Sequence, residues 1–323
     1  MLDFIAFPLG KLMLFIYENL AFLNYGLAII IFTVIIKIIL LPLNVKQYQS
    51  MAKTQEVQPK LQEIQQRYKN DKEKLNQELM NFYKENNINP MGGCFPMLIQ
   101  MPILFSLYYV ISQPLKFMLN VGASGASLMD LISNKYTGTI VATINSMYGK
   151  LSAADKYGSA QDINIINYAH LNSANLDKLG TVANVTSGDL ANISKLDMNF
   201  INHSFNLGLI PQWNIFAVKS DMRLEYIALL IIPVLAAVTT FFSIKYSMAK
   251  NPSATQGNDM AQSMNKNMLL MMPVMTGLFA FNAPAGLGVY WCVNNIIQIL
   301  QQMFMNKFIL KKKEEVATKQ NGV

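Results

Sequence analysis

Apolar residues in this chain gather into runs separated by long polar stretches, and several runs approach the roughly 20 residues a helix needs to cross a bilayer. The first covers residues 24–44, where Pro42 is expected to close it. Others cover residues 95–115, 224–244, 267–281 and 286–305. Between the last two, Asn282-Ala283-Pro284-Ala285 suits a tight turn. This pattern predicts an all-α integral membrane protein with five transmembrane helices.

The polar stretches differ in kind. Residues 1–23 are fairly apolar, but Lys11 and Glu18 interrupt them. They lack the basic start and small-residue cleavage site of a signal peptide, so an amphipathic helix on the external membrane surface is expected. Residues 45–94 are rich in Gln, Lys and Glu, with apolar positions at Leu61, Ile64 and Tyr68, then at Leu75, Leu79, Phe82 and Tyr83. Those spacings mark one face of each of two helices. Asn70-Asp71 suits the turn between them, giving a helical hairpin with a thin apolar seam. Residues 116–223 are rich in Asn, Ser, Ala and Gly with weak apolar patterning, and read as a loop with short helical pieces.

Composition supports the membrane reading. Hydrophobic residues make up 52% of the 323 and charged residues 14%, against about 25% charged in soluble domains. The net charge of +7 could suggest nucleic acid, but its placement at the ends of the spans argues against specific DNA binding. Residues 45–94 carry eight Lys/Arg, residues 245–266 carry three Lys and one Asp, and the tail 306–323 carries five Lys including Lys311, Lys312 and Lys313. Residues 116–223 balance eight basic against seven acidic groups. The excess of cations on one side predicts a cytoplasmic hairpin, 245–266 loop and tail, with the N-terminus outside.

Catalytic chemistry finds little footing. Cys94 and Cys292 lie at or inside apolar runs without metal spacing, and both histidines, His170 and His203, fall in the 116–223 segment. No nucleotide loop or metal motif is present, and the one acidic group in any span is Glu225 at the start of residues 224–244, so no catalytic residue, cofactor or metal is expected.

The spans carry polar residues that need a reason. Lys37 lies six residues from Leu43, about 9 Å from the inner end of its helix. It can snorkel to the surface or face a wet cavity, and Thr33 one turn away favours a polar stripe. In the fifth span Trp291, Asn294, Asn295, Gln298, Gln301 and Gln302 share one helical face. Such a face serves either helix–helix hydrogen bonding or a hydrated groove, and its length favours the groove. Gln100 and Thr239, Thr240 and Ser243 are candidates to join it. Met268, Met271, Met272 and Met275 recur at helical spacing in the fourth span. They suit either varied apolar partners or ordinary packing against lipid and neighbouring helices.

Three stretches resemble a known family: FTVIIKIILLPLNVKQYQSMAKTQEVQPKLQEIQQRYKND, NPMGGCFPMLIQMPILFSLYYVI from Asn89, and NAPAGLGVYWCVNNIIQILQQ from Asn282. They are similar to the YidC-type membrane protein insertases, relatives of the mitochondrial and chloroplast Oxa/Alb-type proteins. The resemblance implies five helices around a hydrophilic groove, open to cytoplasm and lipid and closed outside, with a cytoplasmic hairpin that receives substrate. It implies a multi-pass protein of the bacterial plasma membrane that is not an enzyme. Its partners would be nascent membrane proteins, the Sec translocon, the ribosome through the basic tail, and the bilayer. The expected groove residues are Lys37, Thr33, Gln100, Thr239, Thr240, Trp291, Asn294, Asn295 and Gln298. The expected apolar substrate contacts are Met268, Met271, Met272 and Met275. Lysine at position 37 departs from the family's usual arginine, keeping the charge without the planar fork. The 116–223 segment looks longer and richer in Asn than in compact members. The N-terminus shows no lipoprotein signal, so no lipid anchor is expected. Two other functions fit the same features. A small-solute transporter or channel would need a path open on both sides, and an assembly chaperone would share the methionines without needing Lys37.

Overall fold

The structure, a computed structural model, describes residues 3–86, 95–121, 161–171, 177, 179, 186–200, 205–211, 223–250 and 259–307. These form α1 (Asp3–Asn19), α2 (Tyr25–Ile39), α3 (Leu41–Glu56), α4 (Gln58–Arg67), α5 (Lys72–Glu85), α6 (Phe95–Ser112), α7 (Pro114–Phe117), α8 (Gln161–Leu171) and α9 (Ser187–Lys195). After them come β1 (Asn199–Phe200), β2 (Phe205–Asn206), α10 (Arg223–Lys250), α11 (Asp259–Phe281) and α12 (Ala285–Met305). The chain is mostly helical, and the two strands pair antiparallel with Asn199 opposite Asn206 and Phe200 opposite Phe205. That small sheet was absent from the all-helical expectation.

The chain bends just before Pro42. Helix α2 stops at Ile39, α3 starts at Leu41, and the two are bent by 54°. Proline has no N–H for the carbonyl four residues back and its ring clashes there, so the ladder fails at Ile38 and then restarts. Helices α10 and α11 run past the apolar stretches that announced them, to Lys250 and back to Asp259. Hydropathy marks where apolar residues end, whereas Met, Ala, Gln and Lys carry a helix further. Among the described residues one helix, Ile227–Met248, is long and apolar enough to cross a membrane, or two if the bent α2/α3 pair is one span. Gln100–Ser112 and Leu269–Phe281 are shorter apolar helices.

The chain divides into two compact units. The first comprises Met1–Ile35, Met101–Ala236 and Thr276–Val293. Its helix α1 buries Ala6, Gly10, Met13, Ile16 and Tyr17 and leaves Phe4 and Phe15 exposed, so apolar side chains occur both inside and outside its packed face. Asn24 then caps α2, its Oδ1 accepting from the Leu27 N–H at 2.9 Å. The described parts of the 116–223 segment contribute buried apolar residues despite weak patterning. Ile163, Ile165, Ile166, Leu179, Ile193, Leu196, Met198, Leu207 and Leu209 are all buried. Its asparagines fasten turns: Asn199 donates from its backbone and its Nδ2 to Asp197 Oδ1, and Asn206 Nδ2 donates to Asn167 Oδ1 at 2.8 Å.

The second unit comprises Ile36–Gln100, Ala237–Met275 and Asn294–Val323. In it α4 packs against α5. Asp71 caps α5 by accepting from the Lys74 N–H at 3.0 Å. Leu61 is buried, but no residue of α5 is. The seam is therefore thin, and partial burial raises the Tyr83 phenol above its usual pKa.

Candidate functional site

Lys37 sits in the last turn of α2, in the second unit, and is only 8% exposed. Among the described residues no carboxylate lies within ion-pair distance of it; the two ion pairs found are Arg67–Glu63 and Lys116–Asp3. A buried cation without an acid partner is costly, and a fold keeps one where it has a use. The Lys37 carbonyl, freed by the bend, accepts from Gln301 Nε2 at 3.4 Å, and Gln301 Oε1 accepts from Asn44 Nδ2 at 3.5 Å. Both bonds are long, so Gln301 bridges the two limbs of the bend only loosely. Asn44 was not among the expected groove residues. The signal that could have found it is a polar side chain just after the proline that makes the bend.

Thr33 belongs to the first unit, is buried, and donates its hydroxyl to the Ile29 carbonyl of its own helix at 2.6 Å. In that rotamer the hydroxyl hydrogen is spent on the backbone. Trp291 also lies in the first unit and is half-buried.

In the second unit the polar face of α12 separates into two sides. Asn295 and Gln302, seven residues apart, are buried, while Asn294, Gln298 and Gln301 are half-buried. Asn295 Nδ2 donates to Thr240 Oγ1 at 2.8 Å and to Thr239 Oγ1 at 3.2 Å, joining α12 to α10. Ser243, one turn beyond Thr239 and Thr240 on α10, is buried as well. Among the described residues the buried Oδ1 of Asn294 and Oε1 of Gln302 have no protein partner. Each such group costs about 1–3 kcal/mol in a dry interior. Asn295 thus does the helix-joining work, and its neighbours keep polar capacity to offer elsewhere. Gln100, the last residue of the second unit's Ile36–Gln100 stretch, is half-buried.

Helix α11 presents Leu270, Met271, Met272, Val274 and Met275 as an exposed apolar face. Met268 is on the same helix, but its side chain lies outside the described residues, as do Cys94, His203, Lys311, Lys312 and Lys313. Cys292 is half-buried in α12 and forms no disulfide. Among the described residues no cluster of His, Cys, Asp and Glu could hold a metal ion.

Comparison with known proteins adds a family. The model of the 60Kd inner membrane protein family matches residues 15–313. A protein of Clostridium perfringens named membrane protein insertase YidC is 56% identical over 87 residues, 27% of this chain and 37% of that one. A protein of the same name from Syntrophobacter fumaroxidans is 30% identical over 304 residues, covering 94% of this chain and 38% of that relative. Another, from Oceanobacillus iheyensis, is 27% identical over 294 residues, 90% of this chain and 77% of that one. The chain thus spans well under half the length of the first two.

Proposed function

Because the chain belongs to the 60Kd inner membrane protein family, whose matched members are YidC insertases, we propose that it inserts newly made membrane proteins into a bacterial plasma membrane. The observation that carries this reading is the burial of Lys37, 8% exposed in an apolar helix with no acid partner among the described residues. Such a cation can accept an acidic group on a substrate's hydrophilic tail, which would otherwise cost about 2.5–3.5 kcal/mol at the centre of a bilayer. The half-buried amides of Asn294, Gln298 and Gln100 offer hydrogen bonds to the same tail. Thr239, Thr240 and Asn295 belong to the same proposed groove and brace it.

In this reading five spans surround the groove, with the N-terminus outside and the α4–α5 hairpin, the 245–266 loop and the basic tail in the cytoplasm. Helix α1 lies on the outer membrane surface. A nascent segment meets the hairpin first, and its polar tail enters the groove. Its apolar helix slides past the exposed Met271, Met272 and Met275 into lipid. Methionine suits that surface because its flexible thioether adapts to varied side chains. Transfer of apolar surface out of water drives the process, aided by the membrane potential where charge permits. No nucleotide or metal takes part. Work beside the Sec translocon, and a ribosome contact through Lys311, Lys312 and Lys313, belong to the same proposal.

The test is rescue of a strain depleted of its own insertase, reading protease protection of a small single-span substrate with an acidic external tail. The chain is expected to restore protection, Lys37→Arg to keep it, and Lys37→Ala to reduce it about tenfold or more, a cost of at least 1.4 kcal/mol. Equal rescue by Lys37→Ala at equal expression would sink the role of the charge. No rescue by the wild-type chain would sink the function.

A further inference from the structure

The 116–223 segment has no part in the groove just described, yet it is tied to two helices of the first unit by hydrogen bonds and packs closely on a third. The phenol of Tyr17, 1% exposed on α1, donates to the Lys195 carbonyl at 2.8 Å and accepts from the Asp197 N–H at 2.9 Å. Burial pushes this phenol up to about 12, so it stays protonated and able to donate at physiological pH. Three residues on, the Phe200 ring packs against Gly26 in the first turn of α2, where any Cβ would collide with it. The returning limb then reaches α12. The Ala285 N–H donates to the Leu209 carbonyl at 2.9 Å and the Gly286 N–H to the Leu207 carbonyl at 2.8 Å. These are first-turn donors that the helix itself cannot satisfy.

At the same level the chain is tightly packed. A Cβ on Gly286 would stand 3.0 Å from Ile29 Cδ1, 3.4 Å from Ile111 Cγ2 and 3.4 Å from the Leu207 carbonyl oxygen. Four segments therefore meet closely at this glycine, where a Cβ would require Ile29 to give way by a few tenths of an ångström. Ile29, Ile111, Leu207 and Leu287 are each at most 3% exposed. An apolar constriction of this kind excludes ions because water does not wet it.

We propose that residues 195–200 and 205–209 form a strap, anchored on Tyr17 and on the first turn of α12, that holds shut an apolar plug of Ile29, Ile111, Gly286 and Leu287 and keeps this end of the helix bundle tight to ions. The strap gives the long Asn-rich segment a purpose, since its asparagines fasten the turns, its first limb meets Tyr17 and its returning limb leaves two carbonyls for α12. The proposal rests on α2, α6 and α12 crossing the membrane but not on insertion, so it is tested without a substrate.

The experiment uses the full chain in sealed potassium-loaded liposomes, with amide exchange followed on the same samples. Tyr17→Phe removes both phenol bonds with little change of shape, and Ile111→Ser places a hydroxyl in the plug without touching the strap. Tyr17→Phe is expected to speed exchange about tenfold at 196–200, at 205–209 and at Ala285 and Gly286 together. Passive potassium leak is expected to rise several-fold in both variants. The strap is refuted if Ala285 and Gly286 stay protected in Tyr17→Phe. The plug is refuted if liposomes carrying Ile111→Ser, with wild-type exchange elsewhere, remain as tight as those carrying the wild type.

Discussion

The bond between Asn295 and Thr240 offers a quantitative test of the helix packing. Asn295→Ala removes a donor held between two threonine hydroxyls, at 2.8 Å from Thr240 and 3.2 Å from Thr239. Both Asn295 and Thr240 are more than nine-tenths buried. If the threonines were left unsatisfied, each would add about 1–3 kcal/mol. A helical threonine has a way out, though: its hydroxyl can turn to the carbonyl four residues back, as Thr33 does toward Ile29 at 2.6 Å. That relief removes most of the desolvation penalty and leaves the net worth of an interhelical bond, on average about 0.6 and at most about 1.7 kcal/mol. With one short bond and one longer one, the expected coupling between Asn295→Ala and Thr240→Val is about 1 kcal/mol, a factor of about five in the unfolding equilibrium. Reversible unfolding in mixed detergent–lipid micelles, measured on the wild type, both single variants and the double variant, gives that number directly. A coupling below about 0.3 kcal/mol, within the scatter for independent sites, would show that α10 and α12 are not joined here.

Asp162 supplies a pH test. Burial raises its carboxyl to about 6, against smaller opposing effects of the Lys116 and Leu115 backbone N–H groups and the Lys116 charge. Because the folded value lies above the unfolded one, the stabilisation from this group is complete below its ordinary pKa of 3.8 and is lost as pH rises through about 6. Amides of α8 should therefore be better protected at pH 5 than at pH 7 after correction for intrinsic rates, by about 1.3 kcal/mol of a full effect of about 3 kcal/mol. Asp162→Asn should abolish the difference. In the hairpin, Asp71→Ala should cost about 1 kcal/mol by removing the cap on the Lys74 N–H. Loss of helicity confined to Lys72–Glu85 would be its mark in amide exchange, and unchanged protection there would refute the cap.

The sequence by itself determined what depends on near neighbours. Runs of apolar residues made the chain mostly helical, three short motif stretches marked its family, and a proline and an aspartate three residues from an N–H set one bend and one cap. Even the bend was legible only in position: Pro42 must break a ladder, but whether the chain then leaves the helix or resumes it depends on what receives the next turn. The tertiary structure decided what each member of a polar face does. Asn294, Asn295, Gln298 and Gln302 look equivalent by spacing, yet Asn295 meets two threonines while Asn294 and Gln302 keep buried oxygens without a protein partner. It also decided the fate of the Asn-rich segment, where Ile163, Ile165 and Ile166 are buried although their spacing matches no clean helical or strand period. The physical reason is range. Periodicity and capping act over one or two turns, whereas the partners of Tyr17, Gly26 and Gly286 lie far away in the chain, and only the packed fold brings them within bonding distance.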